Sequence, residues 1–228
     1  MNRAGRVVGL LGTAMTLAGC FGRAPQTPLA QAAARGDGTA VQELLRKGAD
    51  PNTPDGSRIT PLMWAGRAGS VEAIRALAAA GAKLDARDQA VNGWTALVHA
   101  IHKGRDEAAI ALLDAGADPN VACDGGSTAL MFAAAYGNTR MVHVLLDRGA
   151  DPHAEATGGV TALWNAAGGG GLFDFTDGPS VGTCHPEIVA ALLEKAPDLR
   201  LQRDFSTKIV GALSRSKECA ELLARLQS

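Results

Sequence analysis

Aromatic side chains are scarce in this chain: three tryptophans, five phenylalanines and a single tyrosine make up 4% of 228 residues. A core of large rings is excluded, so alanine and leucine must carry the burial. Positive charge is not in excess either. Lysine and arginine number 22 against 23 aspartates and glutamates, a net charge of −1, which leaves no basic surface for nucleic acid. No apolar run approaches the roughly 20 residues that span a bilayer; the stretch from Val7 to Ala18 is about a dozen long. The glycine run Gly168 to Gly171 has no strand before it and no Lys-Ser/Thr after it, so it is not a phosphate loop. Cys184-His185 with Asp174 and Asp177 matches no zinc spacing, and adjacent Cys and His point in different directions. His99 and His102, three apart on one helix, have no third ligand near in sequence and are expected to be satisfied or exposed. His143 and His153 are read the same way. No catalytic residue, metal site or cofactor is implied.

What the chain does contain is a repeated unit, clearest from Thr128 to His153, TALMFAAAYGNTRMVHVLLDRGADPH. Thr128 is placed to cap a short helix through its hydroxyl, and Leu130, Ala133 and Ala134 share one face of it. Gly137 breaks that helix; Met141, Val142, Leu145 and Leu146 line the next. Gly149 ends it with a left-handed cap, and Asp151-Pro152 turns the chain away. Aligned threonines fall at Thr27, Thr60, Thr95, Thr128, Thr161 and Thr207, in steps of 33, 35, 33, 33 and 46 residues. Gly36, Gly69, Gly104 and Gly137 each follow nine residues later. The turns read GADPN at Gly48 and Gly116, GADPH at Gly149 and GAKLD at Gly81.

A period near 33 with two helices and a turn per unit resembles the ankyrin repeat. The T-P-L-H-x-A signature stands here as Thr60-Pro61-Leu62-Met63-Trp64-Ala65 and Thr27-Pro28-Leu29-Ala30-Gln31-Ala32, with the histidine absent from every copy. The fold class is therefore all-α: a solenoid of about six helix-turn-helix units with β-turn fingers, at 27–59, 60–94, 95–127, 128–160, 161–206 and 207–228. The first and last units act as caps, with Gln31, Arg35 and Asp37 keeping the outer face of the first wet. Two extra residues near Gln89 to Asn92 lengthen the finger before the third unit. In the fifth, a 14-residue insertion within Gly168 to His185 replaces the turn between its helices.

The N-terminus reads separately. Arg3 and Arg6 precede the apolar run, and the whole resembles a secretory signal peptide over 1–19. Leu17-Ala18-Gly19-Cys20 resembles a bacterial lipobox, which implies lipidation of Cys20 and a short linker over 20–26. With Phe21 rather than aspartate after the cysteine, the resemblance implies anchoring in the outer membrane facing the periplasm, for a Gram-negative source. Loss of 1–19 leaves 20 basic against 23 acidic residues. Seven residues from Cys20 to Thr27 reach at most about 25 Å, so the solenoid sits close to its membrane. Of the other cysteines, Cys123, Cys184 and Cys219, an odd number, at least one stays free, and an internal disulfide is not expected.

Resemblance to ankyrin solenoids implies partner binding on a concave face made by the finger positions before each threonine and positions seven and eight after it. The fingers offer Ser57, Arg58, Ile59, Trp94, Asp124, Ser127 and Val160. The helices offer Arg67, His102, Lys103, Ala135 and Tyr136 among others. Trp94 and Tyr136 are expected on the exposed face, with Trp164 half exposed, whereas Trp64 and Phe132 are expected in the core. Arg58, Arg67, His102 and Lys103 would favour an acidic partner surface. The expected function is non-catalytic binding of a periplasmic or envelope protein, as a scaffold or as an immunity-type inhibitor that occludes a toxin or a cell-wall enzyme. The alternative is an enzyme or small-ligand receptor built on the 168–185 insertion, with Asp174, Asp177 and His185.

Overall fold

The computed structural model describes residues 24–89, 92–168, 184–200 and 221. The leader with Cys20, the insertion with Asp174 and Asp177, and the final unit at 207–228 (its Glu221 apart) lie outside the described residues. Within them the chain is helical, in ten α-helices: α1 (Pro28–Ala34), α2 (Gly38–Arg46), α3 (Pro61–Ala68), α4 (Val71–Ala79), α5 (Ala96–His102), α6 (Asp106–Asp114), α7 (Ala129–Ala135), α8 (Thr139–Asp147), α9 (Ala162–Ala166) and α10 (Pro186–Lys195). They form five pairs, one per repeat; the first helices stack in an unbroken row from α1 to α9, and among the second helices α2 packs on α4, α4 on α6 and α8 on α10. This is the expected solenoid.

Each first helix starts at the aligned threonine. The hydroxyl oxygens of Thr27, Thr60, Thr95 and Thr161 accept the backbone N–H three residues on, at 3.1, 3.3, 3.3 and 3.1 Å. Thr128, in the cleanest copy by sequence, is the exception. It holds the N-cap position, but its buried hydroxyl makes no cap bond and finds no partner among the described residues. There the helix is held by burial, since all seven residues of α7 are buried. Second helices open on Asp37, Ser70 and Asn138, whose side chains also cap.

Small residues set the spacing between repeats. Ala65, Ala100, Ala133, Ala134 and Ala166 are fully buried where first helices stack. Gly66 marks a close backbone approach between α3 and α5: a Cβ there would stand 2.8 Å from the carbonyl oxygen of Ala96. Gly137, at φ 68°, both ends α7 and makes room for the His185 ring, into which a Cβ would run.

The GADPN asparagines lock neighbouring turns. Asn52 donates to the Gly81 carbonyl at 3.0 Å and accepts from the Lys83 N–H at 2.7 Å. Asn120 repeats this on Gly149 and Asp151, at 2.9 and 2.7 Å. Asp85, in the GAKLD turn between them, has no N–H to give and makes only the accepting half, from Asp118 at 3.0 Å. As expected, Gln31, Arg35 and Asp37 are exposed on the first unit. The expected absence of disulfides is corrected: Cys184 is disulfide-bonded, whereas Cys123 is a free, buried thiol. Burial pushes the Cys123 thiol up to about 12, so it is a packing residue and no nucleophile.

Candidate protein-binding face

Each finger is closed by one backbone bond at its base: Asp55 N–H to Ile59, Asp88 to Trp94, Cys123 to Ser127 and Ala156 to Val160, at 3.0, 2.9, 2.8 and 2.8 Å. The second of these spans two residues more than the others, which is where the two extra residues of the repeat are accommodated. The residue opening each base and the fourth residue after the threonine vary together. Where the finger supplies an aspartate, the helix supplies a ring N–H. Asp55 accepts from Trp64 Nε1 at 2.9 Å, and from its own finger's Ser57 and Ile59 N–H groups at 2.8 and 3.2 Å. Asp88 pairs with His99 Nε2 at 2.9 Å, with both side chains fully buried. Where the finger has Cys123 or Ala156 instead, the helix has Phe132 or Asn165, and Asn165 donates to the Met131 carbonyl at 3.1 Å.

The next layer rests on these clamps. Arg67 Nη1 lies 3.3 Å from His99 Nδ1. Guanidinium can only donate, so Nδ1 accepts and the proton of His99 must be on Nε2, aimed at Asp88. Both ring nitrogens are thus occupied. Burial pushes His99 below its ordinary value, opposed by the hydrogen bond and charge of Asp88 and assisted by Arg67 and Lys103. Arg67, pushed down by its own burial and partly restored by Asp88, spreads 5.5 Å over the Trp64 ring.

Beside this line, Trp94 forms the centre of an aromatic cluster. Its ring lies 5.3 Å from His99, 4.9 Å from His102 and 5.3 Å from Phe132. His102 Nδ1 is hydrogen-bonded to the Tyr136 hydroxyl at 2.8 Å. The network therefore runs across repeats two, three and four without a break.

These contacts redistribute the expected surface. Arg58 and Asp124 are exposed, while Arg67, Lys103 and Tyr136 are half-buried. Arg58 also holds a left-handed backbone, φ 60°, at the tip of its finger. Asp124 is paired with Arg87, which no repeat position or motif singled out. Trp94 at 4% exposure, His102 at 6% and Trp164 at 7% are buried, which corrects their expected exposure. Ile59 and Ala135 are buried as well. Trp94 is covered by His99 and His102 of the next unit and Phe132 of the one after, and His102 lies between Trp94 and Tyr136. Trp64 is corrected the other way. Tied to Asp55 and covered by Arg67, it is half-buried rather than core, whereas Phe132 is core as expected. Aspartates 55 and 88 were missed. Asp55 stands five residues before Thr60; the two extra finger residues move Asp88 to seven before Thr95 and hide the match.

The buried His99 gives a pH test. Its unfolded imidazole takes a proton near the ordinary value of 6.5, while the folded one resists until lower pH. The unfolded state then binds more protons, so stability falls as pH drops below about 6.5. Melting temperature against pH should show this acid limb. The double variant Asp88→Ala, His99→Phe should flatten its upper part.

A stack of helix pairs with a preformed, hydrogen-bonded face defines a helical-repeat interaction module. The sequence model for ankyrin repeats (three copies) matches at residues 29–123, 78–156 and 110–203. The chain belongs to the ankyrin-repeat family, whose repeats are in general modules for protein–protein interaction. It is similar to Zygote-specific protein 3 of Chlamydomonas reinhardtii, 35% identical over 125 residues, which cover 53% of this chain and 33% of that protein. Ankyrin repeat protein nuc-2 of Neurospora crassa is 39% identical over 83 residues, 36% of this chain and 8% of that protein. Palmitoyltransferase Hip14 of Drosophila melanogaster is 37% identical over 81 residues, 36% of this chain and 13% of its own length. The chain thus spans a third or less of the length of these curated relatives.

Proposed function

We propose that this protein is a non-catalytic binding module of a bacterial envelope, held to its membrane by lipid on Cys20, that grips an acidic surface of a periplasmic protein with the concave face of repeats two to four. The observation that carries the reading is the continuous network from Asp55 to Tyr136. It fixes Arg67 and Tyr136 before any partner arrives, which removes ordering entropy from the cost of binding. Arg58 and Lys103 flank them, and no ion pair among the described residues engages either one. Trp94, His102 and Trp164 contribute from beneath, as supports. Occlusion of a toxin or a cell-wall enzyme and scaffolding of an envelope enzyme both use such a face. The buried Asp88–His99 pair cannot serve a reaction, because it is sealed from solvent and both imidazole nitrogens are engaged.

The test keeps the network intact. Arg67 and Tyr136 hold buried histidines, so charge reversal belongs at Arg58→Glu and Lys103→Glu instead. Residues 21–228 should capture one dominant periplasmic protein, and the double variant should bind it at least tenfold more weakly with an unchanged melting temperature. Equal binding by both would remove the concave face as the site. Cys20→Ser in the full chain should move the protein from the membrane to the soluble periplasmic fraction.

A further inference from the structure

The clamp rule leaves a gap where it lapses. In the first two fingers the space is filled by an aspartate bonded to a ring of the next repeat, Asp55 to Trp64 and Asp88 to His99. In the next two fingers Cys123 and Ala156 are short, and the Phe132 ring meets Trp94 edge to face at 5.3 Å and has no polar group to offer the finger. A cavity of about 200 Å³ opens there, between the long finger of 88–94 and the fingers of 123–127 and 156–160. Its floor is Trp94, Phe132, Cys123 and Ala156; Asn92 forms a wall. Its mouth carries exposed Asp124 and Thr157 and half-buried Val160.

The fingers around it are stitched together. Asp124 N–H donates to the Asn92 carbonyl and Thr157 N–H to the Gly125 carbonyl, both at 2.7 Å. The cavity is therefore a fixed feature of the face. At this size it falls below the roughly 300–1,000 Å³ that hold a drug-sized ligand. It fits a single side chain, the geometry of an interface hot spot: an apolar anchor in a dry pocket ringed by polar groups.

We propose that this cavity is the anchor subsite of the binding face, taking one bulky apolar side chain, leucine, methionine or phenylalanine, from a partner segment that carries carboxylates beside it. The proposal rests on the concave-face reading and deepens it. Charge complementarity selects the acidic flanks. The Trp94 ring that floors the pocket also touches His102, whose neighbour Lys103 begins the cationic strip through Arg67 to Arg58. The mouth itself offers no competing negative field, because Asp124 is neutralised by Arg87. A partner side chain in the cavity thus sits at one end of a strip that attracts acid along the rest of its length.

Random peptides displayed on phage and selected on residues 21–228 test this without knowing the partner. Enriched sequences should share one bulky apolar residue among aspartates and glutamates, and a synthetic copy should quench Trp94 fluorescence. Ala156→Leu fills the cavity from its floor. Thr157→Phe covers its mouth from an exposed position that cannot disturb folding. Each should weaken the peptide at least tenfold, as should Arg58→Glu with Lys103→Glu, and that outcome supports both the subsite and the face. Loss only on the charge-reversed variant would overturn the subsite and leave the concave-face reading standing. Binding unchanged by every variant, or no shared sequence among the selected peptides, would overturn both.

Discussion

His99→Phe is expected to lower stability by about 3–5 kcal/mol, the cost of taking the partner from a fully buried charge. In the folded protein the Asp88 carboxylate has no exposed side-chain surface and receives the His99 N–H at 2.9 Å. Phenylalanine matches the ring in shape but donates nothing, so the carboxylate stays buried without that donor. The single change Asp88→Ala is milder, because it leaves a neutral buried N–H rather than a charge, about 1–3 kcal/mol. The informative protein is the double variant. The next junction already carries a small residue, Cys123, and a phenylalanine, Phe132, at the same two repeat positions, and each is 4% exposed. Asp88→Ala with His99→Phe should therefore recover most of the loss. A urea melt of the four proteins would measure the coupling; a double variant as weak as His99→Phe alone would show that the clamp owes little to the carboxylate's burial. Because Arg67 leans on His99, the same variants should also loosen the face, and partner affinity should fall with the single change.

The repeat was legible because its signals are local and redundant. A capping threonine, a breaking glycine and a leucine pair recur in phase, so losing one, as the Thr128 hydroxyl does, leaves the helix in place. The face was legible only in part. Counting seven and eight from each threonine finds Arg67, Lys103 and Tyr136, which reach the surface, and equally His102, which does not. Position in a repeat says on which side a residue begins, whereas burial depends on what the next repeat lays over it. Trp94 shows the limit. Its ring meets His99 and His102 of the next unit and Phe132 of the one after, and a scan within one unit cannot see the neighbours that cover it. Asp88 shows another: its role is a contact with His99 eleven positions on, and the lengthened finger moved it out of register with Asp55. The cavity was invisible for the same reason, since it is made by the absence of that contact in two successive fingers.

Gly66→Val should damage the molecule in a different way, by uncoupling it. Gly66 sits inside α3, where glycine costs about 1 kcal/mol relative to alanine, so a larger residue would favour the isolated helix. It is retained against that preference where α3 meets α5. A Cβ would already lie 2.8 Å from the Ala96 carbonyl oxygen, which is backbone and cannot rotate aside, and 3.7 Å from the Ala100 Cβ. Valine adds two methyl groups to that collision. The helices must separate, at a cost of about 3 kcal/mol for an overpacked contact. In a solenoid that cost falls on one junction, and each repeat depends on its neighbours for stability. The first two repeats, cut off from the third, then hold a short and weak stack of their own. Urea unfolding should change from one transition to two, and the early one should expose amides of residues 28–79 to hydrogen exchange while α5 to α8 stay protected. A single transition at an unchanged midpoint would mean that the α3–α5 junction can spread without loss. The face would feel the separation directly, because Arg67 on α3 and His99 on α5 meet across that junction at 3.3 Å. Binding through repeats two to four should therefore weaken even under conditions where both halves remain folded.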